Sequence, residues 1–320
     1  MSNFDKIKPI FNIDDEINSY VNDINRKLKQ IKISDKQKRK YMVSKSRVRS
    51  IHSSLSIEDN SLSLFDVNNI IQNKRVLGKT DEIQEVKNAI EVYNQIKKYD
   101  YKSETDLMKA HQLMMKYFDE NSSYRNHGEG IEKDGVLIFQ APDSILVPSL
   151  MKSLFDYIKN SDINLLILAS IFHYYFVYIH PFLDGNGRIA RFWMSLMLFN
   201  YNKNFEFIPI EEELYLNQEQ YYYSIMDSHL NHNANSFIKF CLNTINILLD
   251  KIINNNSFVL NETQEKIVEL IVSNKYITQN DIAKKLKFNV RTIKRNFKFL
   301  EDNGIIERIG SDKTGYWEVK

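Results

Sequence analysis

The chain has 320 residues, with 43 Lys+Arg against 41 Asp+Glu for a formal net charge of +2, and it is 43% hydrophobic. That composition excludes disorder for most of its length and leaves room for two domains with a sizeable core. Only nine Gly and five Pro argue against a turn-rich β-sandwich or barrel, so a mainly α chain is expected.

In chain order, residues 1–50 show helical periodicity through Ile17, Val21, Ile24 and Leu28. A basic stretch from Arg26 to Arg49 follows, read as the solvated face of a helix because aromatic interleaving is nearly absent. Residues 64–120 predict three helices, with Thr80 or Asp81 as an N-cap after the Leu77–Gly78 turn. The run Gly135 to Pro142 predicts a small hairpin. Leu165 to Ile179 is the longest apolar run, too short for a bilayer and suited to a buried core helix. Within it, His173 is expected to hydrogen-bond inside its own helix, and the lone Cys241 is expected to be buried packing. A further helix is expected over Phe192 to Leu198. The N-terminus opens polar and without a secretory pattern, so a cytoplasmic location is expected and no membrane partner.

A polar stretch at Asn254–Ser257 predicts a domain boundary. Beyond it come a helix from Thr263, a short helix Asn280 to Leu286, a turn at Phe288–Asn289, a helix Val290 to Asp302, and strands at Ile305–Ile309 and Tyr316–Val319. That order is a winged helix. Its 258–320 span carries Arg291, Lys294, Arg295 and Lys298 along one side of a helix. This suits phosphate contacts, although the net charge of residues 261–320 is mild, with 12 Lys/Arg against nine Asp/Glu. DNA binding or protein docking are both compatible with it.

The densest chemistry lies at His180-Pro181-Phe182-Leu183-Asp184-Gly185-Asn186-Gly187-Arg188-Ile189-Ala190-Arg191. A loop that opens a helix presents unpaired N–H groups to an anion. Gly185 and Gly187 let the backbone approach a phosphate. Arg188 and Arg191, three apart, lie on one side of the first turns and suit bidentate phosphate contacts. Asp184 offers a hard oxygen for Mg²⁺, and His180 a base near neutral pH. These parts suit nucleotidyl or phosphoryl transfer to a hydroxyl.

The same stretch resembles the signature of the Fic family, His-Pro-Phe-x-Asp-Gly-Asn-Gly-Arg-x-x-Arg, without a mismatch. The resemblance extends through Tyr124-Arg125, the Pro142–Met151 segment and Tyr221-Tyr222, covering about residues 50–245. It implies a helical bundle with a β-hairpin flap, and transfer of AMP from ATP to a Ser, Thr or Tyr hydroxyl of a target protein and of the chain itself. By that resemblance His180 is the general base and Asp184 the Mg²⁺ ligand. Asn186 with the Gly185 and Gly187 amides would hold the α-phosphate, and Arg188 and Arg191 would clamp the β- and γ-phosphates. Val136, Leu137, Ile138 and Phe139 would be the flap that aligns the target by strand pairing. Doc-like kinases resemble this motif but carry Lys in place of Gly187, so Gly187 favours AMP transfer.

Ser54 and Glu58 resemble the family's inhibitory helix, with Asp59 standing where the family has Gly or Asn. The resemblance implies that Glu58 pairs with Arg191 and fills the γ-phosphate position. Asn217 and Tyr222 are expected to contact the adenine; for Tyr221 to Tyr223 the alternative is helix packing. The organisation expected is thus residues 1–100 as a helical region with the inhibitory helix at about 50–64, residues 101–253 as the catalytic core, and residues 258–320 as the winged helix. Two other readings use the same residues: a DNA-binding regulator that senses nucleotide, and an enzyme that removes AMP with Glu58 activating water. A homo-oligomer is compatible with either.

Overall fold

In a computed structural model, the structure describes residues 8–33, 36–119, 123–133, 136–254, 262–302, 305–311 and 315–319. The chain divides into two compact units, 1–254 and 255–320.

The first unit contains α1 (Asp15–Gln30), α2 (Lys36–Ser56), α3 (Leu64–Ile71), α4 (Thr80–Asn94) and α5 (Glu104–Met114). After these come a hairpin, β1 (Gly130–Lys133) with β2 (Val136–Gln140), and then α6 (Val147–Asn160) and α7 (Leu165–Ile179). It closes with α8 (Asn186–Tyr201), α9 (Ile210–Leu216), α10 (Gln218–Leu230) and α11 (Asn235–Asn254). At the centre is α7, apolar on all sides and buried from Leu166 to Phe176, as a helix with no polar face must be. It packs chiefly on α8, with α6 and α11 on its flanks. Cys241 is fully buried, and its thiol is pushed up by loss of solvent. No described helix is long and apolar enough to cross a membrane.

Several local expectations are corrected. The helix expected from Phe192 begins six residues earlier, because Gly185, at φ +80°, takes the N-cap position and the motif itself forms the first turns of α8. Lys79, without a side-chain cap bond, precedes α4, so neither Thr80 nor Asp81 is its cap. The basic stretch is only in part a solvated face: Lys36 and Lys40 are exposed, but three arginines are drawn onto neighbouring elements. Arg39 donates to the Lys203 carbonyl at 2.6 Å, Arg47 to Asn94 at 2.6 Å, and Arg49 pairs with Glu212 at 3.1 Å. Acidic and amide groups on neighbouring elements thus turn charge into packing.

One buried carboxylate sets where α2 lies. Glu211, on α9 and 1% exposed, accepts from the hydroxyls of Ser50 on α2, Tyr93 on α4 and Ser195 on α8, at 2.6, 2.9 and 2.6 Å. Buried charge is tolerated only when so satisfied. This cluster ties the C-terminal half of α2 to the middle of α8.

In the second unit, α12 (Glu262–Ser273), α13 (Gln279–Leu286) and α14 (Val290–Asp302) precede an antiparallel pair, β3 (Ile306–Ile309) and β4 (Tyr316–Val319). Ile267, Ile271, Ile282, Ile293, Phe297 and Trp317 form their common core. Thr278 caps α13 through the Asp281 N–H. The architecture is the expected winged helix, with Arg291, Lys294, Arg295 and Lys298 all on the exposed face of α14.

Candidate active site

His180 ends α7 in the left-handed region at φ +50°, its N–H still bonded to the Phe176 carbonyl. The next helix starts only six residues later, so the intervening loop is tight. Asn186 closes it: its amide donates to the Phe182 carbonyl at 2.8 Å and its oxygen accepts from the Phe182 N–H at 3.0 Å. With both ends of that side chain used on the loop, the anion cradle falls to the backbone N–H groups at the start of α8. A Cβ on Gly185 would come within 2.7 Å of the Met115 sulfur, so the bare backbone is needed there.

His111, fully buried on α5, was not singled out by sequence. Its ring stacks on Phe182 with centroids 3.6 Å apart, and its Nε2–H donates to the Asp184 carbonyl at 2.9 Å. A histidine 73 residues before Asp184 in the chain thus braces the loop, a role that only the packing of α5 on α8 reveals.

The His180 imidazole is pushed below its ordinary value chiefly by burial; Glu129 and Glu58 oppose the shift and Arg125 reinforces it. The Val177 carbonyl also favours the protonated ring, but burial outweighs it, so the imidazole is a neutral base at neutral pH. Asp184 is exposed on the loop, with Oδ1 accepting from the Gly185 N–H at 2.5 Å and Oδ2 paired with Arg188 at 2.8 Å. Desolvation works to raise its carboxyl, but Arg188 and the Gly185 N–H outweigh it and hold the group below the usual range.

Both motif arginines are buried and occupied by carboxylates. Arg188, 3% exposed, reaches Glu85 on α4 at 3.0 Å as well as Asp184. Glu85 also accepts from Asn60 at 2.8 Å. Nothing in the sequence marked Glu85, which becomes visible only when α4 is laid beside α8. Arg191, 1% exposed, donates from Nε to the Ser54 hydroxyl at 3.0 Å and from Nη2 to the Ser54 carbonyl at 2.8 Å and to Glu58 Oε1 at 2.7 Å. Burial alone would weaken the protonated guanidinium, but Glu58 more than restores it. A Cβ on Gly187 would run into that same Glu58 oxygen. A side chain at 187 would therefore displace the Glu58 carboxylate.

The segment expected as an inhibitory helix over about 50–64 is a helix end instead. The helix α2 stops at Ser56 and residues 57–59 form a turn that carries Glu58. Asp59 sits at φ +64°, its N–H on the Ser56 carbonyl and the Asn60 N–H on the Leu55 carbonyl, both at 3.2 Å. This is a Schellman closure with Asp in the place usually given to Gly. The departure at Asp59 thus does not prevent the helix from ending where Glu58 needs it.

The remaining expected site residues fall as follows. Tyr221 is buried, its hydroxyl 2.9 Å from His173 Nε2. His173 therefore bonds across to α10, not within its own helix, and burial drives its imidazole down to about 3. Tyr222 is 48% exposed. Burial, then Glu58, raises its hydroxyl, which places it in the field of that carboxylate. Asn217 donates to the Glu213 carbonyl and carboxylate at 2.8 and 3.1 Å. The hairpin pairs Gly130 with Gln140 and Lys133 with Val136, with a register shift at Ile131/Glu132. Phe139 turns inward, 9% exposed and stacked on His229 at 4.3 Å, so it anchors the hairpin; the side chains of Val136, Leu137 and Ile138 lie outside the described residues.

Among the described residues no cluster of three or more His, Cys, Asp or Glu could hold a metal alone. Asp184 as a single exposed carboxylate fits Mg²⁺ that completes its shell with nucleotide phosphates and water.

Comparison with known proteins agrees with this geometry. Residues 101–198 match the Fic/DOC family, and residues 260–307 match a winged helix-turn-helix described as DNA-binding. A probable protein adenylyltransferase from Aquifex aeolicus is 29% identical over 150 residues, 45% of each chain. A protein adenylyltransferase Fic from Culex quinquefasciatus is 29% identical over 164 residues, 47% of this chain and 32% of that one. The matched segment thus spans less than half the length of these curated relatives. A Fic family protein from Desulfovibrio desulfuricans G20, known from its crystal structure, is 30% identical across 98% of both chains, with a TM-score of 0.73.

Proposed function

The chain belongs to the Fic family, and on that premise we propose that it is a protein adenylyltransferase that moves AMP from ATP to a Ser, Thr or Tyr hydroxyl, held in check by Glu58. The observation that carries the reading is Arg191, whose guanidinium is engaged at once by Ser54 and Glu58 beside a neutral His180.

In this reading the free nitrogen of His180 takes the proton of the target hydroxyl as its oxygen bonds to the α-phosphorus. The bond from that phosphorus to the bridging oxygen breaks, and pyrophosphate leaves. Backbone N–H groups at the start of α8 hold the α-phosphate, while Arg188 and Arg191 neutralise the departing charge. Mg²⁺ on Asp184 would add charge neutralisation at the phosphates. Each strand of a two-stranded hairpin keeps one unpaired edge, against which an extended target segment can lie. Tyr222 and Asn217 stand beside the nucleotide site as candidate adenine contacts. Glu58 inhibits by occupying the guanidinium that the γ-phosphate requires. The exposed cations of α14 make DNA the proposed partner of the second unit.

Intact-mass measurement after incubation of the full chain with ATP and Mg²⁺ tests the reaction. A gain of AMP on the chain or an added target supports it, a gain of phosphate replaces it with kinase chemistry, and neither, also in Glu58→Gly, refutes it.

A further inference from the structure

Arg125 is 3% exposed, yet among the described residues no carboxylate pairs with it. Its guanidinium is spent on backbone carbonyls. Nε donates to His180 at 2.7 Å and Nη2 to Ile179 at 3.3 Å, the last carbonyls of α7. Those groups lack intrahelical partners and carry the negative end of the helix dipole, so a buried cation is well placed there. The other donors turn the opposite way: Nη1 reaches the His127 carbonyl at 2.7 Å and Nη2 the Pro142 carbonyl at 2.5 Å. The Arg125 N–H adds a bond to the Pro181 carbonyl at 2.9 Å.

His127 and Pro142 flank the two feet of the hairpin, which the Ala141 N–H closes on the Glu129 carbonyl at 3.0 Å. One planar fork therefore joins both feet of the flap to the backbone of the base. His180 needs such support, because a non-glycine residue at φ +50° holds that conformation only where its surroundings fix it.

We propose that Arg125 is a positioning residue that fixes the His180 backbone and the target-binding flap as one unit. The proposal rests on the adenylyltransferase reading above. Its positive charge also bears on His180, together with Glu129 from the loop before β1 and Glu58 from the α2 turn, which act in the opposite sense. Lysine cannot replace the fork, since it offers a point charge where a planar guanidinium divides its donors among four carbonyls.

The test uses full-length Arg125→Met and Arg125→Lys, both also in the Glu58→Gly background, with near-UV circular dichroism to establish folding. Hydrogen exchange and an NMR titration of His180 read the role whether or not transfer occurs, so a failure of the functional reading is recognised separately. In Arg125→Met, amides of the hairpin and the 179–182 segment should exchange faster and the His180 pKa should rise. In Arg125→Lys the exchange should also accelerate with the pKa retained. For both, kcat should fall about 10- to 100-fold while ATP affinity changes less than about twofold, as misplacement of a reacting group predicts. If Arg125→Met fails to fold, the Lys variant decides. A folded variant with wild-type exchange and kcat within about threefold of wild type overturns the proposal, as does an equal loss of ATP affinity and kcat.

Discussion

Glu58 Oε1 lies 2.7 Å from Arg191 Nη2, and the same oxygen occupies the space that a side chain on Gly187 would need. The carboxylate, the arginine and the glycine of the motif are thus one packed unit; in the proposed reading the carboxylate stands where phosphate oxygens would be held. Glu58→Gly should raise self-modification by roughly tenfold or more, since the arginine no longer has to be won by the nucleotide. The gain should vanish in Glu58→Gly with Arg191→Ala. Radiolabel transfer from α-labelled ATP checks both, and equal activity of wild type and Glu58→Gly removes the inhibitory role. A fall instead favours AMP removal with Glu58 activating water.

Asp59 holds the turn at φ +64°, where a side chain costs roughly 1 kcal/mol relative to glycine. Asp59→Gly should therefore stabilise the chain by about 0.5 kcal/mol, the larger unfolded-state freedom of glycine taking back part of the gain. Basal transfer should fall with it, because the turn that presents Glu58 is better populated. Urea midpoints with and without the change, beside the transfer assay, decide this.

The pH dependence follows from His180, whose folded pKa lies below the usual histidine value. The base is competent when neutral, so kcat/KM should rise through an acid limb below pH ~6.5 and be level across neutral pH. His180→Ala should lower transfer by about 10²–10⁴-fold and leave ATP binding nearly intact. An acid limb at or above 7, or transfer undiminished in that variant, would remove His180 from the mechanism.

Arg291, Lys294 and Arg295 are exposed together on α14. Their joint replacement by Ala should weaken DNA binding and reduce the salt slope by nearly one unit for each lost phosphate contact. Titrations of the full chain at several salt concentrations give the slope directly. Wild-type protein without salt-dependent DNA binding would instead make the second unit a protein-docking module.

What the sequence determined by itself was local in origin: the apolar run that had to be a buried helix, the winged-helix order, and a twelve-residue motif whose members are neighbours in the chain. Spacing is sufficient for these because helical turns bring residues three or four apart onto one side. Even so, sequence misjudged where α8 begins and how α2 ends, since both turn on left-handed residues, Gly185 and Asp59, and a single non-helical residue leaves no periodic signal in the chain. Glu85 on Arg188, His111 beneath Phe182 and Arg125 across both feet of the hairpin were decided by tertiary structure alone. Each is an ordinary polar residue on its own helix or loop. It acquires a role only when burial denies it water and forces it to find its partner on a distant segment.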